Sequence, residues 1–212
     1  MNALVIFAKF PVPGEVKTTI GKEIGMETAA QLVEACVKDV ITKNLNRDYD
    51  LYLSFIGRQH KEQYREMFPS AILYVQRGRN LAENLFLTFE DLLDDYEKVA
   101  IIGCDVPHIS PESITLAFKA LNSYDVVLGP ASDGGYYLIG MNKPYNIFKG
   151  MSYGSDNLLQ QQIDQLKEQH LTFVLLDEMH DIDDIDEVKK AKKGLKKEDA
   201  PLTYEFLKKI KV

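Results

Sequence analysis

Cysteine is nearly missing from this 212-residue chain: Cys36 and Cys104 are the only two. Their separation has no metal-ligand spacing. Cys36 falls on an apolar helical stripe and Cys104 ends an apolar strand, so both read as small core hydrophobes in a reducing compartment. A carboxylate beside Cys104 raises the thiol pKa and quenches a nucleophilic thiolate. Long apolar runs are missing too. None approaches the roughly 20 residues a membrane helix needs. The N-terminus runs straight into a strand pattern, without the basic and hydrophobic regions of a secretory signal. The expectation is a cytoplasmic protein. Basic residues are not in excess: 25 Lys and Arg face 32 Asp and Glu, for a net charge of −7. That excludes the basic footprint of non-specific nucleic-acid binding. The late run from Lys189 to Lys197 lacks interleaved aromatics and reads as a solvated helix face and turn. An acidic chain can still bind an anionic nucleotide, because screening acts over about 8 Å and the nearest groups decide. Repeats, low-complexity segments and linkers are also lacking. With 45% hydrophobic and 27% charged residues, the expectation is one domain over residues 1–212.

What is present is an alternation of short apolar runs with helical stripes. Strand-like runs fall at residues 2–7, 50–55, 71–75, 98–102, 125–128, 136–141 and 171–176. Several are continuously apolar, as in strands covered on both faces. Between them lie the stripes Leu32, Cys36, Val40; Leu81, Leu85, Phe89, Leu92; Ile114, Ala117, Leu121; and Leu159, Ile163, Leu166. Ser110 stands as N-cap and Pro111 at the first helical position of the third. A short terminal helix is expected over residues 203–212, with Pro201 near its start. The alternation predicts an α/β fold, a three-layer α/β/α sandwich with a mostly parallel sheet. Residues 125–141 break the rhythm with two strand runs and no helix between. A parallel crossover needs about a dozen residues or more, so an antiparallel strand and a mixed sheet are expected.

Four segments carry chemistry. The loop Ala8-Lys9-Phe10-Pro11-Val12-Pro13-Gly14-Glu15-Val16-Lys17-Thr18 follows the first strand run. Pro and Gly fix a rigid turn, a helix opening at Val16 would favour an anion, and Lys9 and Lys17 can neutralise two phosphate charges. It has neither Walker A nor dinucleotide-fingerprint spacing, and a rigid surface loop with solvated lysines fits as well. In Gly103-Cys104-Asp105-Val106-Pro107, Asp105 ends a central strand, where ligands bind in open α/β sheets. A carboxylate there suits Mg²⁺ or Mn²⁺, or it caps a turn. The run His180-Asp181-Ile182-Asp183-Asp184-Ile185-Asp186-Glu187 is acidic. Asp184, Asp186 and Glu187 fit a helix N-terminus. Asp181 and Asp183 precede it and can share a cleft, and His180 can add a nitrogen ligand or stand exposed. In Gly129-Pro130-Ala131-Ser132-Asp133-Gly134-Gly135-Tyr136-Tyr137, the double glycine offers close backbone approach to a ligand. Asp133 offers a base or a hydroxyl acceptor. An Asp-Gly hairpin turn is the alternative. Tyr136 and Tyr137 alternate faces, so one of them is expected to reach a cleft.

Taken in order, these segments resemble a bacterial family of GT-A-type transferases. That family was long described as an uncharacterised domain and is related to the molybdenum-cofactor guanylyltransferase-like nucleotidyltransferases. It is now often labelled glycosyltransferase, with some members associated with arsenosugar biosynthesis. Its F-A-K-x-P-x-x-G-x-V-K-T start is matched by Phe7–Thr18, its G-T-D-x-P by Gly103–Pro107 with Cys104 for Thr, its G-P-x-x-D-G-G-Y-Y-L-I-G by Gly129–Gly140, and its late D-x-D-T-P-E-D-L loosely by Asp181–Val188. The resemblance implies a GT-A (nucleotide-diphospho-sugar transferase) fold and a nucleotide over the first strand. Ala8, Lys9, Pro13, Gly14 and Lys17 would bind the nucleotide. Mg²⁺ or Mn²⁺ would sit on Asp105 and Asp183, with Asp181 in reserve. Gly134, Gly135 and Tyr136 would line the sugar or acceptor side, with Asp133 as the catalytic carboxylate. The implied activity is a metal-dependent glycosyltransferase using a nucleotide-diphosphate-sugar donor and a small-molecule acceptor. The alternatives are a nucleotidyltransferase that joins NTP to a phosphorylated acceptor, and a non-catalytic nucleotide-binding protein.

The chain departs from the family pattern at three places. Thr19 stands where an Arg is usual, which removes a rigid fork of donors. Gly78-Arg79-Asn80-Leu81-Ala82 replaces a G-D-L-G segment, and Arg79 could restore the charge. Tyr153-Gly154-Ser155-Asp156 replaces a W-S-T-like segment.

Overall fold

Strand alternation decides the layering. In β1 (Asn2–Ala8) Leu4, Ile6 and Ala8 enter one apolar cluster, while Ala3 and Val5 enter another on the opposite face. Successive side chains of a strand point to opposite faces, so a run that is apolar throughout must be covered twice. The computed structural model describes residues 1–212 and shows this arrangement. β1 joins β2 (Asp50–Phe55), β3 (Ile72–Val75), β4 (Lys98–Gly103), β5 (Val126–Pro130), β6 (Tyr136–Met141) and β7 (Phe173–Leu175) in one seven-stranded sheet of order β3-β2-β1-β4-β6-β5-β7. Only β6 is antiparallel to its neighbours, β4 and β5. The mixed sheet expected from the missing crossover helix is therefore present.

One face is covered by α2 (Met26–Asn44), α3 (Lys61–Met67) and α5 (Pro111–Ala120), which give Val37, Tyr64 and Ile114 to the larger cluster. The other is covered by α4 (Leu81–Leu92) and α6 (Leu158–Glu168), through Leu85, Phe89 and Leu166. A third cluster unites α1 (Thr18–Ile24), α2, α7 (Ile185–Gly194) and α8 (Pro201–Lys209) around Ile20, Leu32, Val188 and Leu207. Ser110 caps α5 as expected, accepting from the Ser113 N–H at 3.1 Å.

Several boundaries differ from the sequence expectation. α1 starts at Thr18 rather than Val16, because Lys17 adopts a left-handed conformation (φ 41°) that a helix cannot continue. α8 starts at Pro201, where the missing N–H costs nothing. The strand expected at 171–176 shortens to Phe173–Leu175. α3 escaped notice because Tyr64 is its one buried residue.

α8 has no capping side chain of its own. Asp39, buried in α2, supplies one from outside: its carboxylate accepts from the Leu202 N–H at 3.1 Å and the Thr203 N–H at 2.7 Å. Asp39→Ala leaves two donors without a partner and is expected to cost about 2 kcal/mol. A thermal melt should show this as a fall of roughly 4–8 °C. An unchanged melting point would show that Asp39 does not hold the C-terminal helices in place.

Candidate functional site

The order of the sheet creates the site. β1 and β4 lie side by side and parallel, yet the chain leaves β1 toward β2 and leaves β4 toward β5. Loops diverging from adjacent strands open a crevice at their carboxyl ends. A cleft of about 710 Å³ lies there, a volume usual for small-molecule sites.

Four segments meet at it. Asp105 follows β4, and its carbonyl accepts from the Ile182 N–H at 2.9 Å, which ties the acidic run to the end of this strand. Ile182 is buried in the third apolar cluster. In extended chain its neighbours point the other way, and Asp181 and Asp183 both line the cleft. The same run is fastened to the glycine-rich turn. Met179 N–H donates to the Pro130 carbonyl, and Ser132 N–H to the Met179 carbonyl, each at 3.0 Å. This brings Asp133, Asp181 and Asp183 together, with one oxygen from each within 4.8 Å of the others.

Lys17 reaches in from the first loop. Its Nζ donates to Asp105 Oδ2 at 3.5 Å and also to Asp183 Oδ1. Burial alone would lower the lysine pKa; the Asp105 and Asp183 carboxylates more than offset this and hold it above the ordinary lysine range. Asp181 is pushed up to about 7 by burial and by the charges of Asp183, Asp133 and Asp105. Four carboxylates thus face one paired ammonium, and the balance is negative. Hard oxygen donors with excess negative charge suit a divalent Mg²⁺ or Mn²⁺, and a cation already lies between Asp105 and Asp183.

The remaining expected residues fall on both sides of the line. Ala8, Lys9, Gly135 and Tyr136 line the cleft, whereas Pro13, Gly14 and Gly134 do not. Lys9 makes no side-chain hydrogen bond or ion pair in the structure and is the uncommitted cation of the loop. Gly134 faces protein instead of ligand: a Cβ built there would lie 1.9 Å from the Asp156 carbonyl oxygen. Asp133 is both a turn residue and a cleft residue, its Oδ1 accepting from the Gly135 N–H at 2.8 Å. Tyr136 and Tyr137 both line the cleft, so the expectation of one alone is corrected. The sheet register shifts at Gly129/Pro130, and this irregularity accompanies their shared access.

His180 lies apart, exposed and 2.8 Å from the Ser132 hydroxyl. Arg79 lines the cleft with its side chain 88% exposed and pairs with Glu83 at 2.8 Å. Asn80 caps α4 by accepting from the Glu83 N–H at 2.9 Å. Cys104 is a free, half-buried cysteine whose thiol is pushed well up by burial and then by Asp105. Sequence reasoning missed the apolar wall of Ile56, Leu81, Leu85, Tyr153 and Leu158. Leu81 and Leu85 sit on a helical stripe that reads as core, and nothing local reports an open side.

Comparison with known proteins gives the setting. Residues 40–155 match a family described as "Uncharacterized protein conserved in bacteria (DUF2064)". A comparison with curated proteins finds no match. The structure is similar to a protein of Desulfovibrio desulfuricans G20 provisionally assigned as a nucleotide-diphospho-sugar transferase. They share 27% identity over 98% of this chain and 94% of that one, with a TM-score of 0.89. At the level of fold it is also similar to 4-diphosphocytidyl-2C-methyl-D-erythritol synthase of Anaerococcus prevotii DSM 20548 (11% identity, 99% and 96% covered, TM-score 0.56). A third similar fold is Rv0371c of Mycobacterium tuberculosis H37Rv in complex with manganese (12%, 89% and 96%, TM-score 0.52). The architecture is that of the nucleotide-diphospho-sugar transferases, as the motifs implied. No helix is long and apolar enough to cross a membrane.

Proposed function

The chain belongs to the DUF2064 family, and we propose that it is a metal-dependent glycosyltransferase using a nucleotide-diphosphate-sugar donor. The observation that carries this reading is the convergence of Asp105, Asp133, Asp181, Asp183, Lys9 and Lys17 on one cleft at the carboxyl ends of β1 and β4.

Asp105 and Asp183 would hold the divalent ion, with Asp181 as a further oxygen donor. Bound there, Mg²⁺ or Mn²⁺ supplies positive charge to the departing diphosphate. Lys9 and Lys17 flank the loop over β1 and neutralise phosphate oxygens where negative charge grows as the sugar–phosphate bond breaks. Asp133 Oδ1 is fixed by the Gly135 N–H, which leaves Oδ2 to orient an acceptor hydroxyl and take its proton as the new glycosidic bond forms. Gly135 and Tyr136, which line the same cleft, would take the acceptor side. Two lysines suit a diphosphate. The nucleotidyltransferase alternative must hold a triphosphate, and it loses ground with Thr19 in place of Arg.

A thermal-shift panel separates the readings. UDP- and GDP-sugars, CMP-sugars as the monophosphate-linked contrast, and the NTPs are each added with Mn²⁺ or Mg²⁺. One nucleotide sugar at about 100 times its Kd is expected to raise the melting point by roughly 5–10 °C, and only with metal present. A shift with NTPs alone would favour nucleotidyl transfer. No shift with any nucleotide would remove the catalytic reading and leave a protein of another kind.

A further inference from the structure

Lys17 was expected to face phosphates, yet its Nζ lies within hydrogen-bonding reach of both Asp105 and Asp183. Its side chain is only 19% exposed. The backbone is left-handed at this lysine (φ 41°, ψ 46°), a conformation that a non-glycine residue adopts only where its surroundings enforce it. The enforcing contacts are at hand. Val16 is buried in the larger core cluster on one side, and on the other α1 begins with the Gly21 N–H donating to the Lys17 carbonyl at 2.9 Å. The residue is therefore held at both ends while its long stem spans the cleft to the two carboxylates.

We propose that Lys17 is a built-in competitor for the divalent ion: its ammonium takes the place between Asp105 and Asp183 and yields it only when a nucleotide diphosphate offers phosphate oxygens instead. This rests on the metal–nucleotide reading above and adds to it an order of binding. A lysine is a compact point charge on a flexible stem, so rotation about its side-chain torsions exchanges one set of oxygens for another without refolding the loop. A metal ion and an ammonium cannot share one pair of carboxylates at close range without strong repulsion. The ion alone must displace Lys17 from the two carboxylates it is paired with, and the nearest remaining acceptors, Asp133 and Asp181, belong to the same acidic cluster that the ion would enter. The ion with a diphosphate gives Lys17 new partners. Metal and nucleotide then strengthen each other's binding by the same factor. Lys9, lining the same cleft with no carboxylate partner, has no such role and serves the phosphates from the outset.

The test is Mn²⁺ binding, read by water-proton relaxation and calorimetry and so independent of turnover. The folded proteins compared are wild type, K17M, K17Q and K17R, with and without UDP, GDP or CDP. The neutral variants are expected to bind Mn²⁺ alone at least about 10-fold tighter than wild type. They are also expected to lose most of the strengthening that the diphosphate gives to wild type. K17R keeps a cation and should stay weak without nucleotide. D183N introduced into K17M should abolish the tight binding. If wild type and both neutral variants bind Mn²⁺ alike while D183N weakens them all, the metal site stands and the competition is wrong. If D183N changes nothing in any background, the metal site itself is misplaced and the proposal falls with it.

Discussion

Asp183→Asn is expected to keep its fold and lose about 10²–10³-fold in kcat/KM, the scale of removing one charge-stabilising group from a preorganised site. Asp183 is the carboxylate common to both halves of the site. It pairs with Lys17 alongside Asp105, and it clusters with Asp133 and Asp181. The change removes one charge and almost no volume. Burial and the Asp105 charge push the Asp183 carboxyl up, and Lys17 partly offsets them. Neutralising it therefore relieves repulsion as well as breaking an ion pair, and the melting point should move by no more than about 3 °C. The assay is release of nucleoside diphosphate from whichever nucleotide-diphosphate sugar stabilises the wild type, across a range of Mn²⁺ concentrations. Asp184→Asn is the matched control. Asp184 Oδ1 accepts from the Asp186 and Glu187 N–H groups at 2.8 and 2.9 Å and caps α7. Asn caps about as well, so that variant should keep full activity. Equal activity in Asp183→Asn and wild type would remove this aspartate from the machinery.

This contrast within one acidic run shows what the sequence could say. Asp184 was legible as a cap because a cap is a local matter of an Asp ahead of a helical stripe. Asp183 was legible as a cleft residue through its motif and its place ahead of the helix, and the structure puts it and Asp181 at the cleft on either side of the buried Ile182. The layering was legible for a related reason: strands apolar on both faces, such as β1 and β4, must be covered twice, and the stretch between Gly129 and Tyr136 is too short for a crossover. The partner of Lys17 was not legible. Nothing near Lys17 in the chain reports that two aspartates from β4 and the acidic run arrive beside it, and a lysine in a turn fits phosphate and carboxylate equally well. The apolar wall was hidden by the opposite ambiguity. Leu81 and Leu85 sit on the same helical stripe as Phe89, and only the end of the sheet decides that Phe89 is sealed while the other two border the cleft.

Gly134 was misread for the same reason, and its replacement carries the second large effect. Gly134→Ala is expected to destabilise the protein by about 3–5 kcal/mol, and the melting point should fall by roughly 10 °C or more. Two costs coincide. The residue holds φ at +87°, where an alanine is strained by about 1–3 kcal/mol. Its Cβ would also lie 1.9 Å from the Asp156 carbonyl oxygen and 2.5 Å from the carbonyl carbon. Those are backbone atoms, so no rotamer change can clear them, and the segment leading into α6 must move. The Leu159 N–H, in the first turn of α6, donates to the Gly134 carbonyl at 2.9 Å and would be disturbed with it. Tyr153 and Leu158, carried by the same stretch, line the cleft, so activity should fall beyond what the lost stability explains. Gly135→Ala separates the two effects. The atoms nearest its Cβ are those of the Asp133 carboxylate, at 3.0 Å, and its backbone is not left-handed. That variant should melt within about 3 °C of wild type while losing turnover, because Asp133 is displaced rather than the chain. If Gly134→Ala melts like the wild type, the turn does not press on residue 156 and the double glycine returns to its first reading, as room for a ligand.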